Sequence, residues 1–193
     1  MHWSDFPGHR VELETSRTIL RPFRESDFLV ALPFYGDHEF RHAIDRNAAL
    51  IDLEYLRAAG LYMAERGWLF AIELKRSEQP VGEVCFERMN LERADVAPGE
   101  RAFRIPIGIW DKSLWGSGIG GEVLERLLDF GFGEQRADRI CAMDVARSNR
   151  RSLGLFESHG FRVVREVSRD IVDLELSRGR RKGLIRNGRV QLR

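Results

Sequence analysis

The chain has 193 residues, of which 43% are hydrophobic and 32% are charged. This length and composition predict a globular domain with a substantial core and exclude an intrinsically disordered chain. No apolar run is long enough to cross a bilayer, and the first sixteen residues are too polar for a signal peptide. We therefore expect a cytoplasmic protein with no membrane partner. Cys85 and Cys141 lie in strand-like runs without metal-ligand spacing and are expected to be buried free thiols.

The net charge of +1 conceals an uneven distribution. Residues 177–193 contain seven Lys and Arg residues and no acid, so residues 1–176 carry an acidic excess. An acidic body favours a cationic partner, and a basic tail by itself does not indicate nucleic-acid binding. We expect a single domain over residues 1–176, followed by the basic tail. The Asn187-Gly188 pair in that tail is typical of a short β-hairpin, and the alternative is a solvated arm.

The first half of the chain alternates short strand-like and helix-like segments. Residues 17–23 resemble a strand, residues 28–34 resemble a short helix limited by Pro33, and Asp52 is suited to cap a second helix. Two further strand-like runs follow, at 68–74 and 81–87, and residues 88–102 form a long polar loop. Adjacent strands of this kind predict antiparallel pairing.

The second half contains a strand–turn–helix–strand–helix unit between Phe103 and Phe161. An apolar run from Ile105 to Trp110 leads into a glycine-rich turn, and a helix with one apolar face follows. A strand at 140–145 leads to Asn149, which opens another helix, and residues 171–176 belong to a closing strand pair. A crossover unit after antiparallel strands predicts an α/β (α+β) fold with a mixed central sheet flanked by helices.

The glycine-rich turn has the sequence WGSGIGG over residues 115–121, with glycine at four of the last six positions. A simple turn needs one or two glycines, because each glycine costs chain entropy on folding. Bare amides at the N-terminus of a helix form a natural anion site, since their N–H groups converge and the helix dipole favours negative charge. The turn therefore predicts phosphate binding.

Two other short motifs compete with this interpretation. Gly116, Gly118 and Gly121 match the dinucleotide pattern GxGxxG, but the distance from the preceding strand is too long for a dinucleotide turn. The HEFRH segment at 38–42 matches the zinc-protease pattern HExxH, but it adjoins a loop and has no recognisable third ligand. We expect no metal site.

The ordered motifs of residues 14–176 resemble the GNAT N-acetyltransferases, especially the ribosomal-protein N-terminal acetyltransferase (RimJ/RimL-like) branch. The family's acetyl-CoA signature, Q/R-x-x-G-x-G/A, aligns with WGSGIG at 115–120, with Trp in the first position as is common in that branch. The later pattern appears as Asn149, Ser152, Phe156-Glu157 and Gly160-Phe161. The opening sequence ETSRTILRPFRESDF also resembles the first strand of that branch.

The resemblance implies a twisted mixed sheet whose fourth and fifth strands splay apart and admit the pantetheine arm of acetyl-CoA. Unpaired backbone groups at such a splay can bind an extended ligand in place of a strand. The implied cosubstrate-binding residues are Ile107, Gly108, Ile109, Trp115, Gly116, Ser117, Gly118, Ile119, Gly120, Gly121, Asn149, Ser152 and Phe156. Among them, the amides of 116–121 would hold the pyrophosphate and Asn149 would bind the pantetheine arm.

The resemblance also implies where the reaction's proton transfers occur. The family's base carboxylate falls on Asp144, which simple strand alternation places on one face with Ile140 and Ala142. The alternative is that Asp144 merely caps the loop after its strand. The family's general-acid Tyr falls on Phe156, so Ser152 or a water molecule would protonate the thiolate, or the thiolate leaves unassisted. Glu83 could assist the base, although a strand Glu is usually solvated and points outward.

The resulting hypothesis is an acetyl-CoA-dependent N-acetyltransferase that acts on a primary amine by direct transfer in a ternary complex. The acceptor would be a protein N-terminus or a small amine, and the tail hairpin could contribute to a homodimer. A non-catalytic CoA-binding module is the alternative that Phe156 suggests, and a dinucleotide-dependent oxidoreductase is the third.

Overall fold

The computed structural model describes residues 7–44, 51–89 and 96–187. These residues contain nine β-strands and six α-helices, so the fold class is mixed α/β, as predicted. Within the same ranges, no helix combines the length and apolar character that a membrane span requires. The chain divides into two compact units, one of Met1–Glu87 and Ile107–Val123 and one of Arg88–Pro106 and Leu124–Arg193.

The strands of the described residues range in length from two residues in β1 to ten in β4. In chain order they are β1 (Leu13–Glu14), β2 (Thr18–Pro22), β3 (Gly67–Leu74), β4 (Gln79–Arg88), β5 (Ala102–Arg104), β6 (Ile107–Ile109), β7 (Arg139–Ala146), β8 (Arg162–Ser168) and β9 (Ile171–Ser177). The structure confirms the predicted strands at 17–23, 68–74, 81–87, 140–145 and 171–176. Each observed strand end lies within two residues of the predicted one. The predicted strand at 105–110 is shorter than expected, because Pro106 separates β5 from β6.

The six helices lie between these strands and after the last of them. They are α1 (Asp27–Tyr35), α2 (His38–Ile44), α3 (Leu53–Ala64), α4 (Ile119–Asp129), α5 (Arg150–Ser158) and α6 (Arg178–Arg186). The predicted N-cap of α3 is confirmed, since the Asp52 carboxylate accepts a hydrogen bond from the Tyr55 amide at 2.8 Å. Asp27 is the first residue of α1, and its carboxylate accepts a hydrogen bond from the Arg24 amide at 2.7 Å.

The first unit is an antiparallel arrangement in which β1, β2, β3, β4 and β6 pair in succession. Its core is rich in aromatic side chains that α1, α2 and α3 cover. Phe23, Phe28, Phe40 and Trp110 are buried within one cluster. The predicted burial of Cys85 is confirmed, and its thiol is free.

The second unit contains the parallel pair β5 and β7, and β9 then pairs antiparallel with both β7 and β8. The predicted fourth strand therefore changes partner at Pro106, since residues 102–104 pair with β7 and residues 107–109 pair with β4. Cys141 on β7 is buried and free, and burial raises the pKa of its thiol to about 12.

The basic tail differs from its prediction. Residues 184–186, expected to form the first arm of a hairpin, belong to α6, and residues 188–193 lie outside the described residues. The Ser177 hydroxyl caps this helix by accepting a hydrogen bond from the Arg180 amide at 3.3 Å. Arg181 is buried and binds the carboxylates of Glu125 and Asp129 on α4. The tail therefore begins as a packed helix of the second unit.

Candidate functional site

The glycine-rich turn connects β6 to α4 in the first unit and is open to solvent. Gly116 and Gly118 both have left-handed backbones, with φ angles of 75° and 88°, and both are exposed. A residue with a Cβ is strained in this conformation, which explains the two glycines on physical grounds. Trp115 fixes the start of the turn, because its indole Nε1 donates to the Ile109 carbonyl oxygen at 2.8 Å.

The backbone amides that follow the glycine-rich turn form the N-terminal turn of α4. α4 begins at Ile119. At its start, the Glu122 amide donates a hydrogen bond to the Gly118 carbonyl oxygen at 3.1 Å. The N–H groups of Ile119, Gly120 and Gly121 lie in the first turn, where helix geometry supplies no carbonyl acceptor. This arrangement can bind an anion such as a phosphate, and phosphate binding at the turn stays a prediction.

Arg17 is a second feature of the turn, and sequence reasoning did not identify it. Its guanidinium donates to the Ser117 carbonyl oxygen at 3.0 Å and forms an ion pair with Glu122 at 2.7 Å. A Cβ placed on Gly118 would lie 3.2 Å from the Arg17 Nη2 atom. Arg17 therefore offsets the negative charge of Glu122 in the first turn of α4 and holds the turn against the start of β2.

β6 provides the next part of the site. Its three residues pair antiparallel with Gly82, Glu83 and Val84 of β4, which places Glu83 opposite Gly108. Ile107 and Ile109 are half-buried and Gly108 is buried. A Cβ on Gly108 would lie 3.2 Å from the Glu83 Oε1 atom and 3.5 Å from the Phe40 ring. Glycine at this position therefore leaves room beside the Glu83 carboxylate.

The environment of Glu83 contradicts the expectation that it is solvated and points outward. The Tyr35 hydroxyl donates a hydrogen bond to one carboxylate oxygen, and the Trp110 indole donates to the other. Burial raises the pKa of Glu83 from 4.5 to about 7, even though both hydrogen bonds act to lower the pKa. Glu83 is thus a half-buried carboxyl that changes its charge near neutral pH.

This raised pKa predicts a pH-dependent stability difference between the wild type and Glu83→Gln. The folded protein binds a proton at Glu83 more tightly than the unfolded chain, so deprotonation weakens folding as the pH rises from about 4.5 to about 7. The free energy of unfolding of the wild type, relative to Glu83→Gln, should fall over this window by at most about 3 kcal/mol. Urea unfolding at pH 4.5 and pH 8 measures the difference. The exposed Glu78→Gln variant serves as control. The assignment would be contradicted if the difference in unfolding free energy from the wild type changed with pH equally for Glu83→Gln and Glu78→Gln.

Asp144 lies in the second unit, at an irregularity in β7. The register with β9 shifts between Ala142 and Val145, and Asp144 has a left-handed φ of 56°. The predicted alternation is therefore wrong here, because Val145, not Asp144, follows Ala142 on the buried face. The Asp144 amide donates to a carboxylate oxygen of the buried Asp173 at 2.8 Å. The Asp144 side chain itself is exposed.

Asn149 and Ser152 lie together at the start of α5. The Asn149 side-chain oxygen accepts a hydrogen bond from the Ser152 amide at 3.0 Å, which caps the helix. Both residues are half-buried. The predicted helix start at Asn149 is confirmed. The hydrogen bond from the Ser152 amide to the Asn149 side-chain oxygen fixes the orientation of that side chain.

Phe156 is a core residue of the second unit. It is 2% exposed and packs edge-to-face against Phe161 at a ring distance of 5.1 Å. Its contact with a cosubstrate remains a prediction.

The HExxH segment lies in α2. His38 and His42 are exposed and their rings stack at 6.0 Å. Across the ranges that the structure describes, no group of three or more His, Cys, Asp or Glu residues is arranged to hold a metal ion. Lys112 binds Asp37 at 2.8 Å and Glu39 at 3.2 Å, so one cation pairs with two carboxylates at the start of this helix.

Known structures share this fold at low sequence identity. Mycobacterium smegmatis RimJ in complex with CoA-disulfide is 19% identical, with a TM-score of 0.68 over 93% of this chain and 96% of that chain. Ribosomal-protein-S5-alanine acetyltransferase from Vibrio fischeri is 17% identical, with a TM-score of 0.67 over 86% and 96%. Spermidine N-acetyltransferase from Vibrio cholerae, in complex with CoA and spermine, is 15% identical, with a TM-score of 0.69 over 86% and 99%.

The family itself is identified from the sequence. Residues 17–162 match the model of the acetyltransferase (GNAT) domain. This match spans more than half of the chain and includes β2, the glycine-rich turn, β7 and α5. The chain belongs to the GNAT acetyltransferase family.

Proposed function

We propose that the protein is an acetyl-CoA-dependent N-acetyltransferase that transfers an acetyl group to a primary amine by direct transfer in a ternary complex. The observation that carries the proposal is the exposed turn with left-handed Gly116 and Gly118 immediately before the N-terminus of α4. Family membership supplies the cosubstrate class, since GNAT enzymes use acetyl-CoA. The pyrophosphate of that cosubstrate is an anion of the kind that such a turn binds.

The residues of the first unit fit this cosubstrate. The amides of 116–121 would receive the pyrophosphate, with the Arg17 guanidinium beside Gly118 offsetting the negative charge of Glu122. The Trp115 indole donates a hydrogen bond to the Ile109 carbonyl oxygen and so links the turn to β6. The backbone of 107–109 would bind the pantetheine arm in the manner of an added strand.

The residues of the second unit would act on the pantetheine arm and on the leaving group. Asn149 would hydrogen-bond the pantetheine arm, and Ser152, one turn further on, would supply a proton to the departing thiolate directly or through water. Phe156 would contribute packing behind them. Its lack of a hydroxyl is the observation that favours the second candidate, a CoA-binding module without catalysis.

Asp144 is the proposed base for the bond-forming step. The acceptor nitrogen bonds to the acetyl carbon, the carbon–sulfur bond breaks, and Asp144 accepts the proton that the nitrogen loses at this step. The exposed side chain at the bulge in β7 supports this assignment. Because Asp is one methylene shorter than the usual Glu, the transfer can pass through a water molecule.

We base the proposed acceptor class on two enzymes that share the fold. One similar structure is named for a ribosomal protein and another for spermidine, and we propose a protein N-terminus or a small primary amine for this chain. A cytoplasmic location and a possible homodimer remain part of the proposal.

The Asp144→Asn substitution tests the base. Because asparagine cannot accept the proton, turnover should fall at least about tenfold, whereas acetyl-CoA affinity should change little. Steady-state kinetics and calorimetric titration with acetyl-CoA measure the two quantities. Asp170→Asn, an exposed substitution in the turn before β9, is the control. Unchanged turnover in Asp144→Asn would remove this residue as the base.

A further inference from the structure

Asp173 is a buried acidic residue of β9 to which the proposed function gives no role. It is 2% exposed, and β9 pairs with β7 on one side and with β8 on the other. Its Oδ1 atom accepts the hydrogen bond from the Asp144 amide at 2.8 Å. Its Oδ2 atom is buried and accepts no hydrogen bond from the residues that the structure describes, although the cross-strand neighbour Arg165 forms an ion pair with it at 3.9 Å. A buried carboxylate oxygen without a hydrogen bond lowers stability, which indicates a role beyond filling the core.

The strand opposite Asp173 is irregular at the point where the two strands meet. The register of β7 with β9 shifts between Ala142 and Val145, so Met143 and Asp144 together lie opposite Asp173. Two residues opposite one constitute a β-bulge, which disrupts the ladder locally. In a regular ladder a strand amide donates to a carbonyl oxygen of the neighbouring strand. At this bulge the Asp144 amide donates to the Asp173 carboxylate instead.

The hydrogen bond from the Asp144 amide supports a backbone conformation that is unfavourable by itself. Asp144 has a φ of 56°, in the left-handed region that is strained for residues with a Cβ. A hydrogen bond to an ionised carboxylate is stronger than one between neutral groups, so this contact offsets the strain. Regular alternation would place Asp144 on the face of the buried Ala142, whereas at the bulge its side chain is exposed. Asp173 therefore holds the conformation in which the Asp144 carboxylate reaches solvent.

We propose that Asp173 is a positioning residue for acetyl transfer: its carboxylate fixes the bulge in β7 and so holds the Asp144 carboxylate where it accepts the proton of the acceptor nitrogen. The inference rests on the proposed acetyltransferase function and on Asp144 as its base. Asp173 takes up no proton in this step and is too buried to touch a substrate. The proton passes from the acceptor nitrogen to Asp144, as described above. A base that is already held in its productive orientation needs no rearrangement before it reacts.

Two substitutions of Asp173 test this role in the full-length protein. Asp173→Leu removes the acceptor oxygen and leaves the Asp144 amide without its hydrogen bond, so β7 relaxes away from the bulge. We expect kcat to fall at least about tenfold, with acetyl-CoA affinity within about threefold of the wild type. Asp173→Asn keeps an oxygen that can accept from the Asp144 amide, and its kcat should stay within about threefold of the wild type. An Asp173→Asn protein as slow as Asp173→Leu would contradict the inference.

A double-mutant cycle with Asp144→Asn separates positioning from a general loss of structure. Turnover is measured as thiol release at saturating acetyl-CoA, with spermidine and a short peptide with a free N-terminal alanine as acceptors. If Asp173 acts only through the Asp144 carboxylate, adding Asp173→Leu to Asp144→Asn should lower kcat by less than about twofold further. Losses that multiply in the double variant would show that Asp173 acts by another route and would overturn the inference.

Arg165→Gln is the matched control, because it removes the cross-strand cation and keeps the hydrogen bond between Asp173 and Asp144. Its kcat should stay within about threefold of the wild type, since the Arg165 side chain is largely exposed. A loss as large as that of Asp173→Leu would identify the ion pair, and not the hydrogen bond, as the contact that matters, and would contradict the inference.

The outcomes also separate the inference from the function on which it rests. A wild type that releases no thiol with either acceptor overturns the proposed function and, with it, the inference. An active wild type whose turnover is unchanged in Asp144→Asn or in Asp173→Leu overturns the inference alone. If Asp173→Leu does not fold, Asp173→Ser replaces it, and the same loss is expected because the shorter side chain does not reach the Asp144 amide. Full turnover in a folded Asp173→Ser protein would likewise overturn the inference.

Discussion

Replacing Gly118 with valine should weaken acetyl-CoA binding by at least about thirtyfold, or about 2 kcal/mol. Gly118 has a φ of 88°, a conformation that is strained for any β-branched residue. A new Cβ would also lie 3.2 Å from the Arg17 guanidinium. The substitution therefore distorts the turn and displaces the cation beside it. Calorimetric titration with acetyl-CoA measures the affinity.

Two matched variants separate the causes of this loss. Gly133→Val introduces the same side chain at an exposed glycine that has neither a left-handed backbone nor neighbours within 4 Å, and it should bind acetyl-CoA like the wild type. Gly116→Val has the left-handed strain, with a φ of 75°, but no neighbour within 4 Å, so its loss should be smaller than that of Gly118→Val. Normal affinity in a folded Gly118→Val protein would rule out the turn as the pyrophosphate site.

Arg181→Met should lower the free energy of unfolding by about 3–5 kcal/mol. The Arg181 guanidinium is buried and binds both Glu125 and Asp129 of α4. Its removal leaves two partly buried carboxylates without their cation, and burial already raises the pKa of Asp129. Denaturant unfolding followed by circular dichroism measures the change.

The neighbouring Lys182→Met substitution is the control for this effect. Lys182 is exposed on the same helix, so its replacement should change stability by less than about 0.5 kcal/mol. Equal and small changes for the two variants would contradict the packing of α6 in the second unit and favour the solvated arm that the tail composition suggested.

The tail illustrates how distant contacts can override a local sequence signal. Asn187-Gly188 is a strong hairpin signal, but Ser177 caps a helix before it, and the pairing of Arg181 with α4 depends on residues more than fifty positions away. The HEFRH segment forms a helix after Gly36, where the Asp37 carboxylate accepts from the Phe40 amide at 2.9 Å. That Asp37 cap was a readable signal for the helix.

The candidate site shows the same division between local and long-range information. The glycine-rich turn could be predicted because its backbone requirement, a left-handed conformation before a helix, is encoded in adjacent residues. Asp144 could not be placed correctly, because a bulge shifts the alternation of β7 and single-strand patterns do not reveal it. Glu83 was underestimated for a similar reason, since its partners Tyr35 and Trp110 are distant in sequence.

Release of free thiol from acetyl-CoA, followed with a thiol-reactive dye in the presence and absence of primary amines, tests the acetyltransferase proposal most directly. We expect amine-dependent thiol release by the wild type, with one acetylated amine formed for each thiol, as mass spectrometry can verify. We also expect this activity to fall at least about tenfold in Gly118→Val at acetyl-CoA concentrations near the wild-type Kd. Acetyl-CoA binding without thiol release for any amine or peptide N-terminus would instead identify a CoA-binding module and contradict the proposed catalysis.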